Sequence, residues 1–178
     1  MAGILMADPG FGRGHTLGVK DASQGSAVAG TQKVFLDSDP RTNKSGQFLS
    51  NRSVTCIAAR NTSGAAILPG EVVKFKATAL LEEVDGKAAT GGILCGVADE
   101  YLPAKGVANN DVFWVVVSGP TAIVTSATVA AGASLTATAG KAAAGDPAKP
   151  AERIGFALKA PADGKVRALV GPWGQHSA

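Results

Sequence analysis

Two histidines, two cysteines and a few short acidic runs are the residues in this sequence of 178 best suited to chemistry. His15 stands in a glycine-rich stretch and His176 in a polar run near position 178. A catalytic triad needs its imidazole held by a rigid frame, and neither setting reads as rigid. The sequence has no GxSxG elbow and no HExxH pair. Gly10-Phe11-Gly12-Arg13-Gly14 has the glycines of a phosphate-cradling loop, but no strand precedes it and the Walker Lys-Ser/Thr ending is missing. Asp37-Ser38-Asp39 opens like a calcium loop, yet the turn glycine is absent and Phe48 stands where the closing carboxylate belongs. Asp99-Glu100 and Glu82-Glu83-Asp85 are the acidic clusters, and a small hydrolase would pair Asp99 or Glu100 with Asp111. Neighbours along a strand point to opposite faces, so solvated turn charges explain these acids better. Cys56 and Cys95 lack metal-ligand spacing and sit in apolar strand patterns. They read as small buried hydrophobes, with a disulfide between them left open. The expectation is a chain without catalysis, cofactor or metal.

The elements around these residues are short strands. Val112-Phe113-Trp114-Val115-Val116-Val117 is the clearest, an unbroken apolar run that predicts burial on both faces, stopped by Ser118-Gly119-Pro120. Val54 to Ala59, Glu71 to Lys76, Leu80 to Val84 closing on an Asp85-Gly86 turn, and Ile93 to Ala98 follow the same grammar. Ala122 to Thr125 and Ser134 to Thr138 are read as strands over the rival helix, because Thr and Val alternate there among glycines. Lys141 to Ala151 reads as a polar loop. A closing hairpin places Ile154, Phe156 and Leu158 on one face and turns at Asp163-Gly164 into Val166, Ala168 and Val170. The fold class expected is all-β, a small β-sandwich or barrel with an extended N-terminal arm.

Residues 1–50 differ from the rest. Eight glycines lie among Ser, Asp, Asn and Thr, and only Lys33-Val34-Phe35-Leu36 looks able to join a core. Ordering such a chain costs roughly 1–2 kcal/mol per residue in backbone entropy, with little apolar surface to offset it. The expected organisation is therefore an arm over 1–50 ordered by something outside its own fold, a β domain over 51–173 and a tail over 174–178, with Trp173 docking back on the domain. The formal charge of +3 is concentrated early, since residues 1–60 hold seven basic and four acidic side chains. No dense Lys/Arg cluster with aromatic platforms appears, which argues against nucleic acid. The opening MAGILMADPGFGRG lacks the form of a secretory signal, and no window reaches the roughly 18–20 apolar residues of a membrane span. The Asn-x-Ser triplets at Asn43, Asn51 and Asn61 then count as chance matches.

A spaced set of signals gives these strands a second meaning. Asn61-Thr62-Ser63-Gly64 is followed by Pro69-Gly70-Glu71-Val72-Val73, then Gly96-Val97-Ala98, then Val117-Ser118-Gly119-Pro120. Ala131-Gly132-Ala133-Ser134-Leu135, Ile154-Gly155-Phe156-Ala157-Leu158 and Gly164-Lys165-Val166-Arg167-Ala168-Leu169-Val170 complete it. In order and spacing, these pieces over 61–170 resemble the bacteriophage head decoration, or capsid cement, proteins. The resemblance implies a β domain on the outer surface of an assembled capsid, made in the host cytoplasm, bound to the major capsid protein, often as a homotrimer. It implies no catalysis and no cofactor. Contact with capsid or neighbouring subunits is expected from Phe11, Val34, Phe35, Leu36 and Phe48 as apolar anchors, with Arg13, Lys20, Arg41 and Arg52 meeting acidic surface. The alternative is a carbohydrate-binding or host-adhesion module using Trp114, Trp173 or Tyr101 as platforms.

Overall fold

A computed structural model describes residues 11–18, 28–40, 48–92 and 94–171. The ten strands in it are β1 (Gln32–Ser38), β2 (Phe48–Asn61), β3 (Val72–Phe75), β4 (Glu83–Lys87), β5 (Cys95–Ala98), β6 (Val112–Val124), β7 (Ser134–Thr138), β8 (Lys141–Ala144), β9 (Gly155–Ala157) and β10 (Lys165–Val170). The chain is all-β, as its sequence predicts.

The pairings run β1-β2-β4-β3-β5-β6-β10-β9-β7-β8, and β6 also returns to β2. That return closes β2, β4, β3, β5 and β6 into a five-stranded barrel, with β2–β4 parallel and the other pairs antiparallel. Period-two alternation then divides the core. Ile57, Ala59, Val73, Phe75, Val84, Ala98, Phe113 and Val115 form the cluster inside the barrel. Val54, Cys56, Ala58, Val112, Trp114 and Val116 form the outer face, in one cluster with the residues that β7 to β10 turn inward. The unbroken run of β6 is thus buried on both faces, as expected, and it is this chain that covers both.

Several local expectations need correcting. Ser118-Gly119-Pro120 does not stop β6, which runs on to pair with β10 from Gly119 to Val124. At Gly119 (φ +107) the strand crosses β2 so closely that a Cβ would lie 2.4 Å from the Ser53 carbonyl oxygen. Pro120 follows where the β2 ladder has already ended at Thr55–Ser118, so its missing N–H breaks no bond to β2. Asp85-Gly86 is not a turn either. It lies within β4 opposite a register shift at Lys74 and Phe75, while the chain reverses at Leu80 and Leu81, both at positive φ. Part of the expected loop over Lys141 to Ala151 is β8, paired with β7.

The closing hairpin forms with Asp163 (φ +52) and Gly164 (φ +70) at its tip and Ile154 is buried as expected, but from Gly155 on the faces of its first strand are exchanged. Gly155 and Ala157 point inward, and Phe156 is only half-buried. The paired strands β9 and β10 approach too closely there for a larger residue, since a Cβ on Gly155 would lie 2.3 Å from the Leu169 carbonyl oxygen.

The boundary at residue 50 is also revised. β2 begins at Phe48, β1 belongs to the sheet, and residues 11–18 lie against β6. The described parts of the expected arm are ordered by the domain itself, because the apolar outer face around Trp114 supplies the burial they cannot supply for one another. Trp173 and the tail lie outside the described residues.

Candidate interaction surface

The N-terminal segment is held by the acids that the sequence offers as candidates for chemistry. Arg13 is 3% exposed and donates from Nε and Nη2 to Asp99 Oδ1 at 3.1 and 2.9 Å. The Gly14 N–H donates to Asp99 Oδ2 at 2.6 Å. Gly14 has φ +81, and a Cβ there would press on Tyr101 at 3.2 Å, so this glycine of the GFGRG stretch serves a close approach of backbone to protein. Further along, Thr16 bridges Phe113, the Leu17 N–H donates to the Val112 carbonyl at 2.9 Å, and the Gly18 N–H donates to Asp111 Oδ1 at 2.9 Å. Asp99 and Asp111 therefore hold the chain's own N-terminal residues.

Other charges extend this network. Arg167 donates from Nη1 to Glu100 Oε1 at 2.8 Å and from Nη2 to Asp37 Oδ1, while Ser50 Oγ donates to Asp37 Oδ2. Asp37, 1% exposed, is thus answered by a guanidinium, and the strand carrying it is tied to β10. Burial works against the charge of Arg13, but its anionic neighbours, Asp99 foremost, outweigh that and raise its pKa. Burial pushes the Tyr101 phenol up to about 12, and the Arg13 guanidinium lies 4.8 Å from the centroid of its ring. Among the described residues no group of three or more His, Cys, Asp or Glu is placed to hold a metal. Both cysteines are free thiols, which settles the disulfide left open by the sequence.

The residues expected to touch a partner separate by face. Phe11 stacks on Trp114 with centroids 4.9 Å apart, Phe35 meets it edge-on at 5.3 Å, and Trp114 Nε1 donates to the Phe11 carbonyl. Phe11, Arg13 and Phe35 therefore pack on their own domain. Val34 and Leu36, on the opposite face of β1, are 59% and 57% exposed. Arg52 is exposed nearby on β2. Lys20 and Arg41 lie outside the described residues. Phe48 begins β2 opposite Ser38, and its side chain is likewise outside the description. The structure adds Leu49, 53% exposed, which the sequence reading passed over although it follows Phe48 directly.

β1 stands at one end of the strand order and pairs with β2 alone among the described strands. Its outward face sets Val34 beside Thr55 and Leu36 beside Ser53. The result is an apolar, one-sided strand surface whose other face is anchored by Phe35 and Asp37. Of the carbohydrate platforms, Trp114 is fully buried and Tyr101 is 6% exposed, while Trp173 lies outside the described residues.

No family model and no curated protein matches the chain. Among solved structures, the chain is similar to the head fiber gp8.5 N base of bacteriophage phi29, with a TM-score of 0.46 and 18% identity, covering 66% of this chain and 93% of that one.

Proposed function

We propose that this chain is a structural virion protein that binds the outside of an assembled phage capsid through the outward face of β1 and braces neighbouring capsid subunits. The observation carrying this reading is the set of exposed apolar side chains, Val34, Leu36 and Leu49, on and beside a strand that pairs along one edge only among the described strands. An exposed strand edge recruits a partner backbone, and alternate side chains supply selectivity. The strand is also fixed from behind, which lowers the entropy lost on docking. The pieces that resemble decoration proteins support the same reading. They fall on the scaffold, where buried Asn61 donates from Nδ2 to the carbonyls of Ala65 and Val107 and the Asp163-Gly164 turn closes the last hairpin.

On this reading the partner is the major capsid protein, the working form is a homo-oligomer with a trimer favoured, and neither catalysis nor a cofactor is involved. The test is to mix the protein with undecorated heads of its cognate phage, count bound copies and follow resistance to heat. Saturable binding and hotter disruption are expected. Val34→Glu and Leu36→Glu should each weaken binding at least tenfold, since each places a charge in an apolar contact, while the melting temperature of the free protein stays unchanged. Undiminished binding by both variants would overturn the assignment to β1.

A further inference from the structure

Among the described residues the barrel is closed around its waist and open at one end. There a cavity of about 400 Å³ passes from the interior into the cleft beside β9 and β10. Its apolar wall includes Ile57, Phe75 and Val117 from the barrel, Leu81 from the reversal before β4, and Ile154 at the approach to β9. That volume is at the lower end of the roughly 300–1,000 Å³ of small-molecule sites, and the wall joins these apolar side chains to the polar Gln32, Thr55 and Ser118, so that an amphiphile suits it better than a purely apolar ligand.

The charge on this wall is one-sided. Arg153 is its one charged side chain among the described residues, and no carboxylate lines it. The guanidinium is positioned without being neutralised. Its Nε donates to Ser134 Oγ at 3.1 Å, and its Cζ lies 4.9 Å from the centroid of the Phe156 ring. No ion pair engages Arg153 among the described residues, which leaves its terminal nitrogens for an incoming anion. Cys95, also on the wall, does not compete for it. Burial pushes that thiol up to about 11, so it stays protonated and uncharged at neutral pH.

We infer that the open end of the barrel is a binding site for a small single-chain amphiphile, whose apolar body enters between Ile57, Phe75 and Val117 and whose carboxylate meets Arg153. Volume sets the length of the apolar body, and the guanidinium, without an ion pair among the described residues, sets the sign of the head. The site is independent of the capsid reading and stands or falls separately from it.

The probe is sodium decanoate below its micellar concentration, compared with 1-decanol and decyltrimethylammonium by titration calorimetry on the full chain. Decanoate should bind at least tenfold more tightly than either comparator. Arg153→Gln should abolish that preference and Arg153→Lys should retain it, while Val117→Phe, which fills the mouth, should weaken decanoate at least tenfold. Thermal melts identify any variant that fails to fold, and the probe comparison on the unaltered chain decides the matter without variants. Equal binding of the three probes, or none, overturns the proposal. So does decanoate binding that appears only when residues 172–178 are removed, since the cavity would then belong to the chain's own residues beyond Gly171, which lines its rim.

Discussion

Arg13 and Asp99 lie 86 positions apart and meet where neither can be solvated, at 3% and 0% exposure of their side chains. A buried pair of this kind gives little net stability over an apolar pair of the same shape, but losing one member is expensive. In Arg13→Ala the Asp99 carboxylate keeps its Gly14 N–H and loses both guanidinium bonds, and Glu100 loses a cation 3.6 Å away. The expected cost is about 3–5 kcal/mol in urea unfolding. Arg13→Ala in an Asp99→Asn background should cost clearly less, because no buried anion is then left unpaired. A loss below about 1 kcal/mol for the single variant would mean that the segment is not held by this pair. None of this was legible in the sequence: Arg13 sits in a run without periodicity, and nothing local marks Asp99 as its partner.

The strands themselves were largely legible, because burial imposes alternation and alternation shows in residue types. Val112 to Val117 and Val166 to Val170 fall where their patterns put them. The misreadings occur where two chain segments meet closely, since a glycine that permits such an approach looks in sequence like a glycine that permits a turn. Gly119 is of this kind, whereas Gly86, with only Ser63 at 3.9 Å from its Cβ, is set apart by its positive φ (+147) beside the register shift in β3. Gly119 allows a testable distinction, because a turn glycine on the surface tolerates a methyl group better than a crossing glycine does. At φ +107, with a Cβ set 2.4 Å from the Ser53 oxygen and 2.9 Å from the Val54 Cα, Gly119→Ala must displace backbone in β2. We expect it to destabilise by at least about 2–3 kcal/mol. Gly132, also at positive φ but with nothing within 4 Å of its Cβ, should lose only about 1 kcal/mol on the same change. Similar melting temperatures for the two variants would contradict the crossing geometry.

At the scale of the whole molecule, the N-terminal third plays two parts on opposite faces. Residues 11–18 and the inner side of β1 cover Trp114, whereas the outer side of β1 offers Val34 and Leu36 to solvent. A deletion of residues 1–50 would remove both parts together, along with the start of β2. Removing residues 1–18 separates them, because among the described residues the barrel interior draws on none of 11–18. In a Trp173→Phe background Trp114 is the only indole of the two in the sequence. The truncated protein should then keep its β-sheet circular dichroism, melt lower by an amount that reflects about 2–4 kcal/mol of lost apolar contact on top of the lost Arg13–Asp99 pairing, and emit further to the red with easier acrylamide quenching. Unshifted, unquenched emission would show that something other than Phe11 and its neighbours covers the indole. The same protein bears on docking. If β1 carries the capsid contact, the truncated chain still binds undecorated heads; if binding disappears while the sheet persists, the contact lies in the first 18 residues and the β1 assignment fails.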